Sequence, residues 1–416
     1  MSTTELNLSG PRPSRIAPGP LTILLVNPYR GIVGPNIGAH QMVREAIARG
    51  HRVHVAVYGR DEFVEDLEAL GATYHVIPQL AGTPRSLNPL AILRHGWSAW
   101  RVTARLGRLA KETSADVICL NSINSLLAPR AGRIACRPVA AISRSLGFAE
   151  LGLAGKAFFR LQRRWVDRYV TVIELGKELL ARQGVPREKI IVVHNGVDLE
   201  QYTATARDQP LASELGITGT DRVIGTVSHL TPRKGVDLLV EAMGLLAKRL
   251  PEAKCLIIGG ITNPGEEWYE EAVRRRIGEL GLEGQVSLTG YRKDIGKLMG
   301  LMDVYVLPSR TENCPRSALE AQACERPVVG FRVGGMPEVV ADGETGLLVE
   351  PFDVAALAEA LHRLLLDAPL RRKLGAAGRA RVERLFNLKT NLSAIIDLLE
   401  RMAELGRQER QGASCT

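Results

Sequence analysis

Short apolar runs recur along the chain, each followed by a polar, glycine-dotted stretch and then by a segment with helical spacing. Thr22–Val26 reads as a buried strand, and Val53–Val57, Ala72–Ile77 and Asp116–Leu120 read as further strands. Val139–Ile142, Tyr169–Ile173 and Ile190–Val193 continue the series, with helices predicted between them at about His40–Arg49 and Pro89–Thr113. Strand, loop, helix, strand is the signature of a doubly wound parallel sheet. Asn195-Gly196-Val197-Asp198 is turn chemistry. The stretch after it, to about Thr220, has no clear period and is expected to be a connection. The alternation then restarts. Strands are predicted at Val223–Val227, Lys254–Ile258, Val286–Leu288, Val304–Leu307, Val328–Phe331 and Gly346–Val349. Helices are predicted at Val236–Lys248, Glu266–Leu280, Val354–Leu366, Leu370–Arg384 and about Lys389–Leu405.

The pattern predicts an α/β protein of two Rossmann-like doubly wound parallel-sheet domains in series. Residues 1–20 are expected to be a disordered tail, 21–200 the first domain and 201–388 the second. Residues 389–416 hold a last helix beyond the final strand and a short tail. Ligands bind such folds at the carboxyl ends of the strands, so the site is expected in the cleft between the domains.

Candidate chemistry is densest in Val304–Glu350. Pro308 stops the first strand there, and a polar loop holding Glu312 follows. Pro315 suits a first helical position, since its φ is preset and it lacks an N–H. Gly334-Gly335 and Pro337 repeat the device after the next strand. Two helix N-termini should therefore open on one sheet edge, where unpaired N–H groups and the dipole favour an anion. Glu312 and Glu320 flank the first, which suits a ligand with both phosphates and hydroxyls. Ser317-x-x-Glu320 also fits a capping box, a structural alternative for Glu320. Arg233-Lys234, between Pro232 and Gly235, follows a strand and enters a helix; it reads as a phosphate-binding turn or as a plain surface turn.

Composition narrows the classes. The chain has 416 residues, 45% apolar and 24% charged. That length favours two cores over one. No apolar run approaches the roughly 18–20 residues of a membrane span, and Met1–Pro20 lacks the apolar centre of a signal peptide. Six cysteines stand singly, which argues for a reducing cytosol and against a disulfide frame or a zinc site. The net charge of +9 is compatible with anionic lipid, nucleic acid or phosphorylated substrates, and equally with a solvated arginine-rich surface. Nucleic acid is disfavoured because the basic residues are spread and no recognition motif is present. A nicotinamide-dependent oxidoreductase is disfavoured because Gly31–Gly38 does not keep the GxGxxG spacing.

Two stretches bear on a membrane partner. Lys156, Arg160, Arg163 and Arg164 recur beside Phe158, Leu161, Trp165 and Tyr169, read as two stripes of one helix. Arg94, Arg101, Arg105 and Arg108 share a face in a helix that carries Trp97 and Trp100. Basic amphipathic helices with aromatics rest on anionic membrane. The alternative is a helix with its apolar side in the core.

Several segments together resemble a known family. PSRTENCPRSALEAQACERPVV with GFRVGGMPEVVADGETGLLVEPFD resembles the nucleotide-binding signature of the family 4 retaining glycosyltransferases, which have the GT-B fold. HLTPRKGVDLLVEA resembles their diphosphate-binding loop, and VVHNGVD their domain-crossing turn. NIGAHQMVREAIARGHRVHV resembles their glycine loop and first helix; the likeness runs from about Leu21 to Arg401. It implies transfer of a sugar, with retention, from a nucleotide-diphosphate sugar to a glycan or lipid-linked acceptor in surface polysaccharide or glycolipid biosynthesis. It also implies a C-terminal helix returning toward the first domain, a cytoplasmic protein peripheral at the inner face of the membrane, and no metal or other cofactor. The absence of any Asp-x-Asp agrees with that last point.

Carried over by residue, the resemblance implies that Glu312 contacts the donor sugar while Arg233 and Lys234 neutralise the diphosphate. Glu320 would hold the ribose, and the amides of Arg316 and Ser317 would face sugar and phosphate. Gly38 would let the first loop approach the diphosphate, with His229 and Gly335 completing the donor side. Arg144 and Asn121 fall on the acceptor side, and base selection is expected around Tyr291–Lys293. The chain departs from the family pattern at four places. Ser228-His229 stands where Gly-Arg is usual, and Arg144 where a His is frequent. Asn121-Ser-Ile-Asn124 replaces His-x-His, and Ile173 replaces a Ser. These departures keep open a non-catalytic GT-B protein binding nucleotide or glycan, or another doubly wound enzyme.

Overall fold

The structure is a computed structural model that describes residues 19–31, 34–78, 80, 89–147, 152–261 and 265–413. Most of the predicted N-terminal tail, and the side chain of Arg94, lie outside them. The first sheet contains β1 (Thr22–Asn27), β2 (Arg52–Val57), β3 (Thr73–Val76), β4 (Val117–Leu120), β5 (Val139–Ser143), β6 (Arg168–Thr171) and β7 (Ile190–Val192), in the order β3-β2-β1-β4-β5-β6-β7. The second contains β8 (Arg222–Val227), β9 (Ala253–Ile258), β10 (Val286–Gly290), β11 (Val304–Leu307), β12 (Val328–Phe331) and β13 (Gly346–Val349), in the order β10-β9-β8-β11-β12-β13. All strand pairings within the two sheets are parallel. In each sheet the order reverses beside the first strand, between β1 and β4 and between β8 and β11. A parallel sheet opens a crevice at such a point, outside the carboxyl ends of its strands.

The apolar runs are continuous in the inner strands, which are covered on both faces, whereas the edge strand β3 is only partly buried. Along β1, Ile23 and Leu25 face Met42, Ala46 and the C-terminal helix. Leu24 and Val26 face Val102 and Leu106 on the other side. The C-terminal helix, Leu388–Ala413, returns to the first sheet as the resemblance implied. Leu392, Ile395, Ile396, Leu399 and Met402 pack into the first-lobe core at helical spacing. Arg407 pairs with Asp116 at 2.8 Å, and Arg49 with Asp397 at 2.6 Å.

The chain crosses between lobes twice, and the two crossings touch. Val197 N–H donates to Phe386 O at 2.9 Å, and Leu388 N–H to Val197 O at 3.2 Å. A Cβ on Gly196 would lie 2.3 Å from Leu388 Cα, so only glycine permits this contact.

Four local expectations fail. The first helix begins at Gly34, not near His40. Pro35 sets φ in its first turn, and Asn36 ties that turn to Gly31 O at 2.6 Å. The supposed connection after Asp198 contains a short helix, Gln209–Glu214, capped by Asp208 through Leu211 N–H at 3.1 Å. The helix at Gly152–Gln162 ends before Trp165 and Tyr169; Tyr169 belongs to β6 and is fully buried. The predicted aromatic stripe is therefore two elements. Lastly, the second helix of the Val304–Glu350 stretch is the single turn Met336–Val339. Four residues align too few peptide dipoles to make an anion site.

Candidate active site

The cleft between the lobes encloses a cavity of about 680 Å³, bounded by Pro35, Ile37 and Arg144 on one side and by His229, Lys234 and Glu320 on the other. Both switch points open onto it.

Local backbone chemistry builds the second-lobe wall. After β8 the chain makes a tight turn, Pro232–Lys234, closed by Gly235 at φ 65°. A Cβ there would lie 2.0 Å from Pro308 O, so the turn is pressed against the chain leaving β11. Arg310 braces it. Its N–H donates to Arg233 O at 2.9 Å, and its guanidinium donates to Pro232 O at 2.6 Å and to both Asp237 oxygens at 2.9 and 2.6 Å. Braced in this way, Lys234 meets Glu312 at 2.6 Å, with the lysine 13% and the glutamate 6% exposed. Both keep spare capacity for a ligand: two ammonium N–H groups and the second carboxylate oxygen. Arg233 is exposed and donates to Thr311 O at 3.3 Å.

His229 is held below the ordinary histidine pKa by burial, reinforced by Lys234 and Arg233. It is a neutral imidazole at neutral pH, not a replacement for the missing arginine. Glu320 lies on the helix Arg316–Ala323, whose N-cap is Pro315. Ser317 is already inside this helix, so the capping box does not form. Burial pushes the Glu320 carboxyl above the ordinary range, and Arg316 opposes that. Ser317, Tyr291 and Arg292 also border the cavity.

Gly335 is buried and acts as scaffold. Its N–H donates to Glu312 O at 3.0 Å, and a Cβ on it would lie 1.8 Å from Asn313 O. The Gly-Gly turn thus sets the position of the Glu312 loop from behind.

Long-range contacts build the first-lobe wall. Asn36 Oδ1 accepts from Asn27 Nδ2 at 2.8 Å, and Asn27 Oδ1 from Asn121 Nδ2 at 2.8 Å. Asn121 Oδ1 accepts from Arg144 Nε at 3.0 Å, and Arg144 Nη1 donates to Asn195 Oδ1 at 3.2 Å. Asn195 Nδ2 then reaches Cys314 O in the other lobe at 3.4 Å. Asn121 is 0% exposed. It lies beneath the wall and orients Arg144, and does not itself face the cavity. Gly38 sits under Arg144: a Cβ there would lie 2.8 Å from its Nη1. Its bare face is covered by the guanidinium, in place of the open approach the resemblance implied. Burial lowers the Arg144 pKa to about 10, so it stays charged at neutral pH.

One residue escaped the sequence reading. Glu338 accepts from Glu174 N–H at 2.6 Å and Leu175 N–H at 2.7 Å, across the lobes. These amides open the helix Glu174–Arg182, whose N-cap Ile173 supplies no side-chain bond. The signal was the missing Ser at position 173: the cap comes from the second lobe instead.

Sequence and structure comparisons agree with this geometry. The profile of Glycosyl transferases group 1 matches residues 209–381, and that of Glycosyltransferase Family 4 matches residues 33–201. A D-inositol 3-phosphate glycosyltransferase of Mycobacterium sp. (strain KMS) is 33% identical over 217 residues, 51% of this chain and 48% of that protein. A GDP-mannose-dependent alpha-(1-6)-phosphatidylinositol monomannoside mannosyltransferase of Mycolicibacterium smegmatis is 29% identical over 291 residues, 67% of this chain and 74% of that one. The chain thus spans about half the length of several curated relatives it matches, 48% in the first case. Anabaena HepE, solved with UDP and glucose, superposes with TM-score 0.76 at 23% identity, covering 92% of this chain and 100% of that one. At that identity the likeness speaks for the fold.

Proposed function

The chain belongs to the family 4 glycosyltransferases of GT-B fold, and from that premise we propose that its cleft transfers a sugar, with retention, from a nucleotide-diphosphate sugar to a glycan or lipid-linked acceptor. The observation that carries this is the Lys234–Glu312 pair at 2.6 Å, which with Glu320 lines the second-lobe side of a cavity between two sheet switch points. Glu312 accepts from hydroxyls of the donor sugar and favours positive charge growing at the anomeric carbon. Arg233 and Lys234 take the charge that collects on the departing diphosphate. The helix N-terminus at Arg316 and Ser317 adds backbone N–H groups there. Glu320 accepts from the ribose diol. No side chain need act as nucleophile: the leaving phosphate takes the acceptor's proton on the face where the new bond forms. Lysine and arginine supply the charge a metal would, so activity should survive chelation by EDTA.

The relatives named for phosphatidylinositol support a lipid-linked acceptor. An exposed face agrees with this: Trp97 and Trp100 are 61% and 55% exposed, beside exposed Arg101, Arg105 and Arg108. Arg101 lies 4.8 Å from the Trp97 ring centre. Aromatics and cations on one face suit an anionic membrane surface. Among the described residues no helix is long and apolar enough to cross a membrane.

The test is a panel of UDP-, GDP- and ADP-sugars, read by thermal stabilisation and by donor hydrolysis or transfer. At 100 times its dissociation constant the right donor should add about 2.7 kcal/mol. Glu312→Ala and Lys234→Ala should each abolish turnover in folded protein; retained turnover in both would sink the assignment.

A further inference from the structure

Two strongly basic groups that line the cleft are matched by acids: Lys234 pairs with Glu312, and Arg292 with both Asp294 and Glu214. Arg233 is exposed and donates to the Thr311 carbonyl. Arg144 and Arg316 are half-buried. Among the described residues neither meets a carboxylate. Arg144 is held by the amides of Asn121 and Asn195, and Arg316 Nη1 donates to the amide oxygen of Gln41 at 3.1 Å. Both guanidinia rest on one turn of the helix Gly34–Ala48, Arg144 over Gly38 and Arg316 on Gln41. They come from opposite lobes, and both line the cavity.

We propose that Arg144 and Arg316 form a two-lobed clamp for one phosphoryl group that a substrate carries into the cleft. Amide oxygens orient the two forks without neutralising them. Two half-buried cations held together without a direct ion pair are costly, and Glu320, the carboxyl that Arg316 acts on, is itself pushed toward its neutral form by burial. Their mutual repulsion adds to the burial that depresses Arg144. An anion between them removes the cost. A guanidinium matches a phosphoryl group with two parallel N–H bonds, and two guanidinia can engage its three oxygens at once. Among the described residues, Arg144 Nη2 has no protein partner and remains available. The cavity also answers the loss at His229: a neutral imidazole stands where the family usually places arginine, and two arginines line the same cavity. The clamp draws on the reading above only for where the phosphoryl group comes from, either the donor diphosphate or a phosphate on the acceptor.

Calorimetric titration of the full chain with inorganic phosphate, alone and with saturating UDP, GDP or ADP, tests the clamp. The wild type should bind phosphate. Arg144→Gln and Arg316→Gln should each weaken that binding by about tenfold or more. Arg144→Lys, which keeps the charge and loses the fork, should weaken it less. Melting curves show that each variant is folded, and Arg316→Gln, at the cleft surface, keeps the test valid if Arg144→Gln is not. Displacement of phosphate by a nucleoside diphosphate would support the clamp and identify the donor as its source. Phosphate binding that persists beside saturating nucleotide would support it and identify the acceptor. No phosphate binding by the wild type, or binding unchanged in both Gln variants, overturns the clamp. Arginine-dependent phosphate binding without any nucleotide binding would keep the clamp and overturn the donor reading.

Discussion

The two walls of the cleft are made in different ways. The second-lobe wall is backbone chemistry over short spans: a turn before a helix, a Gly-Gly turn behind a loop, a helix start after proline. Its side chains, Lys234 and Glu312, neutralise each other. The first-lobe wall is a relay of neutral amides from Gly31 to Arg144, joining residues 94 apart at Asn27 and Asn121 and 23 apart at Asn121 and Arg144. It ends in a cation that, among the described residues, meets no carboxylate. The second wall pairs its central lysine with an acid, whereas the first sets its arginine on amides and leaves the charge for a ligand to satisfy.

Substitutions can break this contrast. The largest effect should come from the buried pair. Glu312→Ala or Lys234→Ala strands the other charge and should cost about 3–5 kcal/mol. The double variant should cost much less than the sum, as chemical denaturation of all four proteins would show. Additive costs would mean the pair is not coupled. In the first wall, Asn121→Leu leaves Asn27 Oδ1 and Arg144 Nε unpaired, at about 1–3 kcal/mol for each stranded group. Nucleotide binding by the second lobe should change little. A donor affinity that collapses along with stability would erase the distinction between the walls.

The lobes meet at Glu338. Glu338→Ala should cost about 1 kcal/mol, the usual value of an N-cap, and should speed hydrogen exchange at the Glu174 and Leu175 amides. Ile173→Ser, placed in that background, should restore a local cap and slow the exchange again. Failure of that rescue would remove the capping explanation.

The smallest effect is a pH dependence. Burial raises the Glu320 pKa, so the native state holds this proton at a pH where an unfolded chain has lost it. Glu320 therefore subtracts stability as pH rises from the ordinary carboxylate pKa through its raised one, and the full penalty remains above that. Donor binding, which uses the ionised form, should weaken as pH falls through the raised pKa. Glu320→Gln should flatten that acid limb; an unchanged limb in the variant would assign it to another group.

The second wall was legible before any coordinates because its devices are local. Glu312, Glu320, Arg233 and Lys234 all fall at the cleft where a strand-turn-helix reading puts them. Gly335 was read as a ligand contact but proved to be scaffold, since sequence shows that a glycine is needed and not which atom crowds it. The first helix was entered too late, because a glycine- and proline-dotted stretch looks like loop until Asn36 and Pro35 are seen closing its first turn. Trp165 and Tyr169 continued a helical spacing past the point where the helix stops at Gln162.

The amino-acid order by itself determined two parallel sheets, their strand-helix alternation and an anion-binding edge after β11, because period, turn residues and proline act within a few positions. Only the tertiary structure decided that Asn121 supports Arg144 from below, that Glu338 caps a helix in the other lobe, and that Arg144 and Arg316 share one helical turn. A side-chain hydrogen bond or an uncompensated charge depends on what the fold brings within about 3 Å, and nothing in a linear string records that distance.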